Sequence, residues 1–267
     1  MSNHLMQLSQ LSFGYPNRDI YHDLNLQISS GKVTVILGPS GCGKSTLLEL
    51  MTGQLQPKTG EVRFDGISLA DLSQNCLYSM RRRMGMMFQN NALLSDLDVF
   101  ENIAFPIREN TRLPESLVRN LVLMKLQMVG LRGAVHLMPT ALSGGMARRV
   151  ALARALALDP DFILYDEPFT GLDPISKGVV AQLIGKLNNV FDTTSVVVTQ
   201  DVQEGLAVAD QVIIFSEGKI VEEGSPEQVI ASVHPEVRQF LDAEPDGPVL
   251  FHYPASEYQE HLLDTRR

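Results

Sequence analysis

A largely apolar run, Val33-Thr34-Val35-Ile36-Leu37, leading straight into Gly38-Pro39-Ser40-Gly41-Cys42-Gly43-Lys44-Ser45, constrains this chain more than any other feature. The second segment fills the pattern G-x-x-x-x-G-K-[ST]. Its glycines let backbone N–H groups turn inward around phosphate oxygens, at the positive end of a following helix. Such a loop needs a strand before it and a helix after it, and so a parallel sheet flanked by helices. In that setting Gly38 to Thr46 form a nucleotide-binding stretch, with Lys44 reaching the β and γ phosphates and the Ser45 hydroxyl ligating Mg²⁺.

Phe162-Ile163-Leu164-Tyr165 and Val196-Val197-Val198 are continuous apolar runs of the same kind, as strands buried on both faces require. Leu24, Leu26 and Ile28 alternate with polar residues before the turn Ser29-Ser30-Gly31, and an Asp65-Gly66 turn divides Glu61 to Ile67. Alternation and a hairpin turn predict an antiparallel β layer beside the core. From about Asn90 to Ala141 strand patterns vanish and helix formers dominate, notably Leu121 to Val129. The expected organisation is therefore a core with a β subdomain in residues 1–89 and 143–224, a helical subdomain in 90–142, and a C-terminal extension in 225–267. Prolines at 226, 235, 245, 248 and 254 predict interrupted helices and an irregular tail.

With 267 residues, 44% hydrophobic and 20% charged, the chain suffices for one large domain with an ample core. A net charge of -9 argues against nucleic acid as a partner, since a phosphate backbone calls for a basic face. The basic triplet Arg81-Arg82-Arg83 is expected to be a solvated helix face or a set of local ion-pair partners, with a contact to a partner subunit as the alternative, since it sits just before Gln89. No apolar run approaches the roughly 18 to 20 residues of a membrane helix. The N-terminus lacks a secretory pattern, which predicts a cytoplasmic location. Cys42 and Cys76 have no zinc spacing and fit a reducing compartment, Cys42 serving as a small filler within the loop.

Asp166 and Glu167 close the Phe162 run, and ligands of parallel sheets gather at the carboxyl ends of strands. Asp166 is placed to hold Mg²⁺, while its neighbour must do a different job, because adjacent strand residues face opposite ways. Between the phosphate loop and this acidic pair lies Leu142-Ser143-Gly144-Gly145-Met146, followed by a helical run from Ala147.

By that order of motifs, from about Tyr15 to Gly224, the chain resembles the ATPase domain of ABC transporters. The resemblance implies an α/β P-loop NTPase fold of the ABC type, with an antiparallel β subdomain and an inserted helical subdomain. It implies ATP and Mg²⁺ as ligands. It makes Glu167 the general base for the attacking water, and it makes Gln89 the glutamine that links Mg²⁺ and that water to a transmembrane partner. Asp173, in Gly171-Leu172-Asp173-Pro174, matches the loop that crosses a dimer interface, and Tyr15 matches the aromatic that stacks on adenine. Ser143, Gly144 and Gly145 are implied to contact the γ-phosphate bound to the opposite subunit. One chain holds a single copy of each motif, so a complete site needs a homodimer.

Two positions depart from the family pattern. Met146 stands where most signatures have glutamine, outside the phosphate-contacting residues. Gln200 stands where the family places a histidine that touches the γ-phosphate. Glutamine can donate a hydrogen bond there but carries no proton or charge, which predicts retained binding and slowed hydrolysis.

Three finer stretches narrow the resemblance: Leu142 to Arg149, Met124-Lys125-Leu126 with Val129 to Ala134, and Asp246-Gly247-Pro248-Val249 with Tyr253-Pro254. They are similar to the ATPase subunits of Mla phospholipid-transport systems of Gram-negative bacteria. That implies a peripheral position on the cytoplasmic face of the inner membrane, beneath an MlaE-like permease. An MlaD-like MCE protein and an MlaB-like STAS protein belong to the same implied complex. The ATPase of an amino-acid or metal importer, or a soluble ABC ATPase, remains an alternative. Val249, Leu250, Phe251 and Tyr253 are apolar for a solvated tail, which suggests that they dock on the other ATPase subunit or form a plain terminus.

Overall fold

The computed structural model describes residues 4–249. Strand β1 (His4–Tyr15) pairs antiparallel with β2 (Arg18–Ser29). Strand β3 (Val33–Leu37) then leads through the phosphate loop into α1 (Lys44–Met51). The hairpin of β4 (Thr59–Phe64) and β5 (Ile67–Ser68) turns at Asp65-Gly66 as its sequence predicts. Next come α2 (Gln74–Arg81) and β6 (Met84–Met87), then α3 (Val99–Asn110) and α4 (Glu115–Met128), with no strand between residues 90 and 141. The chain continues through α5 (Gly144–Ala155), β7 (Phe162–Asp166), α6 (Pro174–Phe191), β8 (Thr194–Thr199) and α7 (Val202–Val208). A second hairpin, β9 (Gln211–Ser216) and β10 (Lys219–Gly224), precedes α8 (Pro226–Ile230) and α9 (Pro235–Leu241).

Two sheets result. Four antiparallel strands lie in the order β2-β1-β4-β5, and six strands in the order β10-β9-β3-β8-β7-β6. In the larger sheet β9, β3, β8, β7 and β6 run parallel, and only β10 is antiparallel. Its central strands are buried throughout, and alternate residues supply two cores. Val33, Val35, Leu37, Ile163, Tyr165 and Val197 face α3 to α6. Ile36, Phe162, Leu164, Val196 and Val198 pack with α1 and the apolar face of the smaller sheet, including Met6, Leu8 and Ile28. Helix α1 is thus held between two sheets, which anchors the phosphate loop at its head.

β1 escapes the alternation rule, and the reason is local. Its buried residues are Met6, Leu8, Leu11 and Phe13, and the spacing slips at Gln10, whose φ is +48°. A bulge there costs one register step and hides the period of two. The Gln10 amide, freed from the ladder, donates to Asn25 Oδ1 at 2.9 Å.

The proline expectation needs a correction. Pro226 and Pro235 do not interrupt helices; each occupies the first turn of one. The missing N–H costs nothing at that position, and Ser225 completes the start of α8 by exchanging hydrogen bonds with Gln228 in a capping box. Val249 is pinned to α9 by two hydrogen bonds with the buried Gln239 side chain. Leu250, Phe251 and Tyr253, the remainder of the suggested docking segment, lie outside the described residues.

Of the basic triplet, Arg81 donates to the carbonyls of Thr52 and Gly53, and Arg83 pairs with Asp65 and Asp161. Both serve local structure. Among the described residues no helix is long and apolar enough to cross a membrane.

Candidate functional site

The phosphate loop takes its path from its glycines. Gly41 and Gly43 have φ of +78° and +111°, in the region that side chains disfavour. At Gly38 the constraint is space, since a Cβ would stand 2.1 Å from the Phe215 carbonyl oxygen. Outside the loop, the buried Tyr21 hydroxyl donates to the Gly43 carbonyl at 2.5 Å, so β2 braces the turn. Cys42 is buried, and burial pushes its thiol up, which keeps it a neutral filler.

Lys44 is buried, and its Nζ donates to the carbonyls of Gly38 at 2.8 Å and Pro39 at 3.0 Å. The same ammonium lies 3.4 Å from Glu167 Oε1. The cation at the head of α1 is thus aimed across the loop toward the end of β7.

Asp166 is the last residue of β7, and its Oδ1 accepts a hydrogen bond from Ser45 Oγ at 3.0 Å. Burial pushes its carboxyl above the ordinary value, and the Ser45 hydrogen bond offsets only part of that. A hydroxyl beside a desolvated carboxylate is a hard-oxygen pair of the kind that Mg²⁺ takes together with phosphate oxygens and water. Ser45 and Asp166 therefore fit the ion.

Glu167 follows with φ of +47°, a left-handed backbone that costs a non-glycine residue of the order of 1 kcal/mol or more. Its amide is tied to the Val198 carbonyl. Its Oε2 accepts from Thr170 Oγ1 at 3.1 Å, Thr199 Oγ1 at 3.2 Å and the Gln200 amide at 3.2 Å. Four groups from three elements thus hold one carboxylate. Sequence reasoning missed Thr170 and Thr199, because a threonine in a loop or strand carries no distinguishing pattern.

Gln200 meets this cluster through its backbone. Its side chain is exposed and lines a cleft of about 950 Å³ with Pro39, Ser40 and Phe240. Gln89 is exposed just beyond β6, and its carbonyl accepts from Arg148 Nη1 at 2.7 Å.

The remaining expected site residues lie apart and have their own partners. Ser143 caps α5, its Oγ accepting from the Met146 amide at 3.2 Å. Beside it, a Cβ on Gly145 would meet Ser176 Oγ at 2.7 Å. Asp173 caps α6 by accepting from the amides of Ile175 and Ser176, each at 3.0 Å, and the Ser176 hydrogen bonds hold its carboxyl below the usual range. Tyr15 is 43% exposed and sits edge-on to Phe13 with 5.3 Å between ring centroids. Within one chain, then, Lys44, Ser45, Asp166, Glu167 and the Gln200 amide converge. Ser143 and Asp173 form exposed helix starts facing outward.

Comparisons with known proteins agree with this geometry. Residues 21–170 match the family model described as ABC transporter. The chain is 54% identical, over 99% of its own length and all of the relative's, to the intermembrane phospholipid transport system ATP-binding protein MlaF of Haemophilus influenzae. Among solved structures, CbiO1 of Clostridium perfringens, part of the ABC transporter complex CbiONQ, superposes with a TM-score of 0.80 at 28% identity, covering 91% of this chain and 96% of that one. The ATP-binding cassette MJ0796, solved as a dimer in a post-hydrolysis state with ADP and Pi, gives a TM-score of 0.75 at 33% identity, covering 83% of this chain and 98% of that one. With the phosphate loop, the acidic strand end and the capped signature helix in place, this chain belongs to the ABC transporter ATP-binding family, in its MlaF group.

Proposed function

We propose that this protein is the ATPase of an intermembrane phospholipid transporter, working as a homodimer on the cytoplasmic face of the inner membrane. Its partners in this reading are an MlaE-like permease, an MlaD-like MCE protein and an MlaB-like STAS protein. The full-length likeness to the MlaF protein of H. influenzae supports the cargo and the assembly. The observation that carries the chemistry is the Glu167 carboxylate, fixed by three donors within 3.2 Å and by the Lys44 ammonium at 3.4 Å.

The phosphate-loop amides and Lys44 bind the β and γ phosphates, and Tyr15 stacks on the adenine. Ser45, Asp166 and Gln89 would hold Mg²⁺, which would supply neutralisation of phosphate charge. Glu167 takes a proton from the attacking water as the γ-phosphorus gains that oxygen and loses its bond to the β-phosphate oxygen, giving ADP and phosphate. Thr170, Thr199 and the Gln200 amide all donate to Oε2, so the proton goes to Oε1, which carries no hydrogen bond from them and faces the Lys44 ammonium. Ser143, Gly144 and Gly145 close over the opposite subunit's γ-phosphate, and Asp173 lies at the dimer seam. Closing and reopening are population shifts driven by the higher affinity of the closed state for ATP.

Gln200 lowers turnover in this reading. Its exposed amide can donate to phosphate but offers no charge, so Gln200→His should hydrolyse ATP faster in the assembled complex at equal ATP affinity. Equal turnover of the two forms overturns the assignment to Gln200. Failure of the chain to copurify with a permease, or of that complex to move phospholipid between vesicles, overturns the transporter assignment.

A further inference from the structure

Arg148, on α5 five residues after its cap Ser143, is 5% exposed. Its guanidinium donates to backbone carbonyls only: Nη1 to Gln89 O at 2.7 Å and Phe88 O at 3.4 Å, and Nη2 to Thr170 O at 2.9 Å. Its Nε is buried without a partner. Burial lowers the guanidinium pKa, and the negative charge of Glu167 opposes that shift. A buried cation with no carboxylate bonded to it is costly, and an aliphatic side chain would fill the space without that cost.

Its contacts join three pieces of the site. Gln89 O belongs to the segment that presents the Gln89 side chain, and Thr170 is the residue whose hydroxyl donates to Glu167 Oε2 at 3.1 Å. Arg148 itself rides on α5, whose first turn carries Ser143, Gly144 and Gly145. Arg154, on the same helix, grips two further carbonyls of the same segment, Asn91 at 2.8 Å and Ala92 at 2.6 Å. Both of those residues have positive φ, at +62° and +48°. Within the segment the Asn91 amide closes a turn onto the Phe88 carbonyl at 3.0 Å, and the carbonyls of Phe88, Gln89, Asn91 and Ala92 are held by the two arginines of helix α5.

We propose that Arg148 is a positioning residue that transmits between the two ATP sites of the dimer. This rests on the reading that α5 engages the nucleotide of the opposite subunit. A displacement of α5 by that nucleotide is passed through one planar fork to Gln89 and, by way of Thr170, to Glu167 of its own subunit. Arginine is required because a single rigid group must hold carbonyls of two separate loops, whereas lysine offers one point of attachment.

The test is steady-state ATP turnover by the full chain in complex with its permease, compared with Arg148→Lys. The parent is expected to show a Hill coefficient for ATP above about 1.5, and the variant about 1, with kcat about tenfold lower and KM within about threefold. A purely structural role would instead lower the active fraction and leave the Hill coefficient intact. Non-cooperative turnover by the parent, or an unchanged Hill coefficient in a folded variant, overturns the proposal.

If Arg148→Lys does not fold, hydrogen exchange on the parent decides. With Mg-ATP added stepwise, protection of segments 86–92 and 143–149 should rise at one common midpoint, and separate midpoints overturn the link. Absence of any turnover by the parent counts against the ATPase reading itself, and the exchange measurement then still judges Arg148.

Discussion

The two adjacent carboxylates at the end of β7 have separate environments, and each makes its own prediction. Glu167 accepts three hydrogen bonds and lies beside Lys44, so Glu167→Gln keeps the shape and, through its carbonyl oxygen, the three hydrogen bonds, but gives up the ion pair with Lys44 and removes the base. Turnover should fall by about 10²- to 10⁴-fold with ATP affinity little changed, measured by phosphate release and nucleotide titration. Asp166 is raised by burial, so its ionised form costs the nucleotide-free fold stability. Because the folded pKa exceeds the ordinary 3.8, the native state holds the proton more tightly, and stability contributed by this group falls as pH rises through the folded pKa. Asp166→Asn should therefore raise the Tm of the nucleotide-free protein at neutral pH, with the gain disappearing in acid, while abolishing the Mg²⁺ dependence of ATP binding. A Tm difference independent of pH would contradict this account.

At the scale of elements, helix starts do double duty. Ser143 caps α5 and, in the proposed dimer, meets phosphate. Ser143→Ala should cost about 1 kcal/mol of stability through the lost cap and lower turnover as well. Ser143→Asp restores the cap yet sets a negative charge where phosphate must dock, so denaturant unfolding should recover while turnover does not. Recovery of both would leave Ser143 a cap alone. Elements also differ in how far their residues announce them. The central strands were legible because burial on both faces demands a nearly continuous apolar run, as in Val33–Leu37 and in residues 162 to 165 of β7. β1 was not, because the bulge at Gln10 breaks its period. Nor were α8 and α9, since a proline looks the same in the first turn of a helix as in a loop.

For the whole molecule, the separation of the two motif groups is decisive. Lys44, Asp166 and Glu167 converge within the chain, whereas Ser143 and Asp173 start helices that face outward and make their hydrogen bonds locally. In the proposed homodimer a second copy brings the groups together; the related cassette MJ0796 is itself found as a dimer. Glu167→Gln with Mg-ATP should accordingly double its mass in light scattering, and ADP should return it to the monomer. A monomer in every nucleotide state, with ATP in large excess over its sites, would exclude the isolated chain as a self-assembling pair.

Sequence alone determined the motif order, the family resemblance, the parallel core and the phosphate loop, because each rests on neighbouring residues whose types are dictated by local backbone geometry or by burial. Tertiary structure alone decided what surrounds those motifs. Tyr21 braces Gly43, Thr199 holds Glu167, and Arg148 reaches Gln89 and Thr170, all across sequence separations that span other elements. These are ordinary residue types in ordinary patterns. Their roles arise only when the parallel sheet brings the ends of β3, β6, β7 and β8 to one edge, where buried donors and acceptors must find each other or remain unsatisfied.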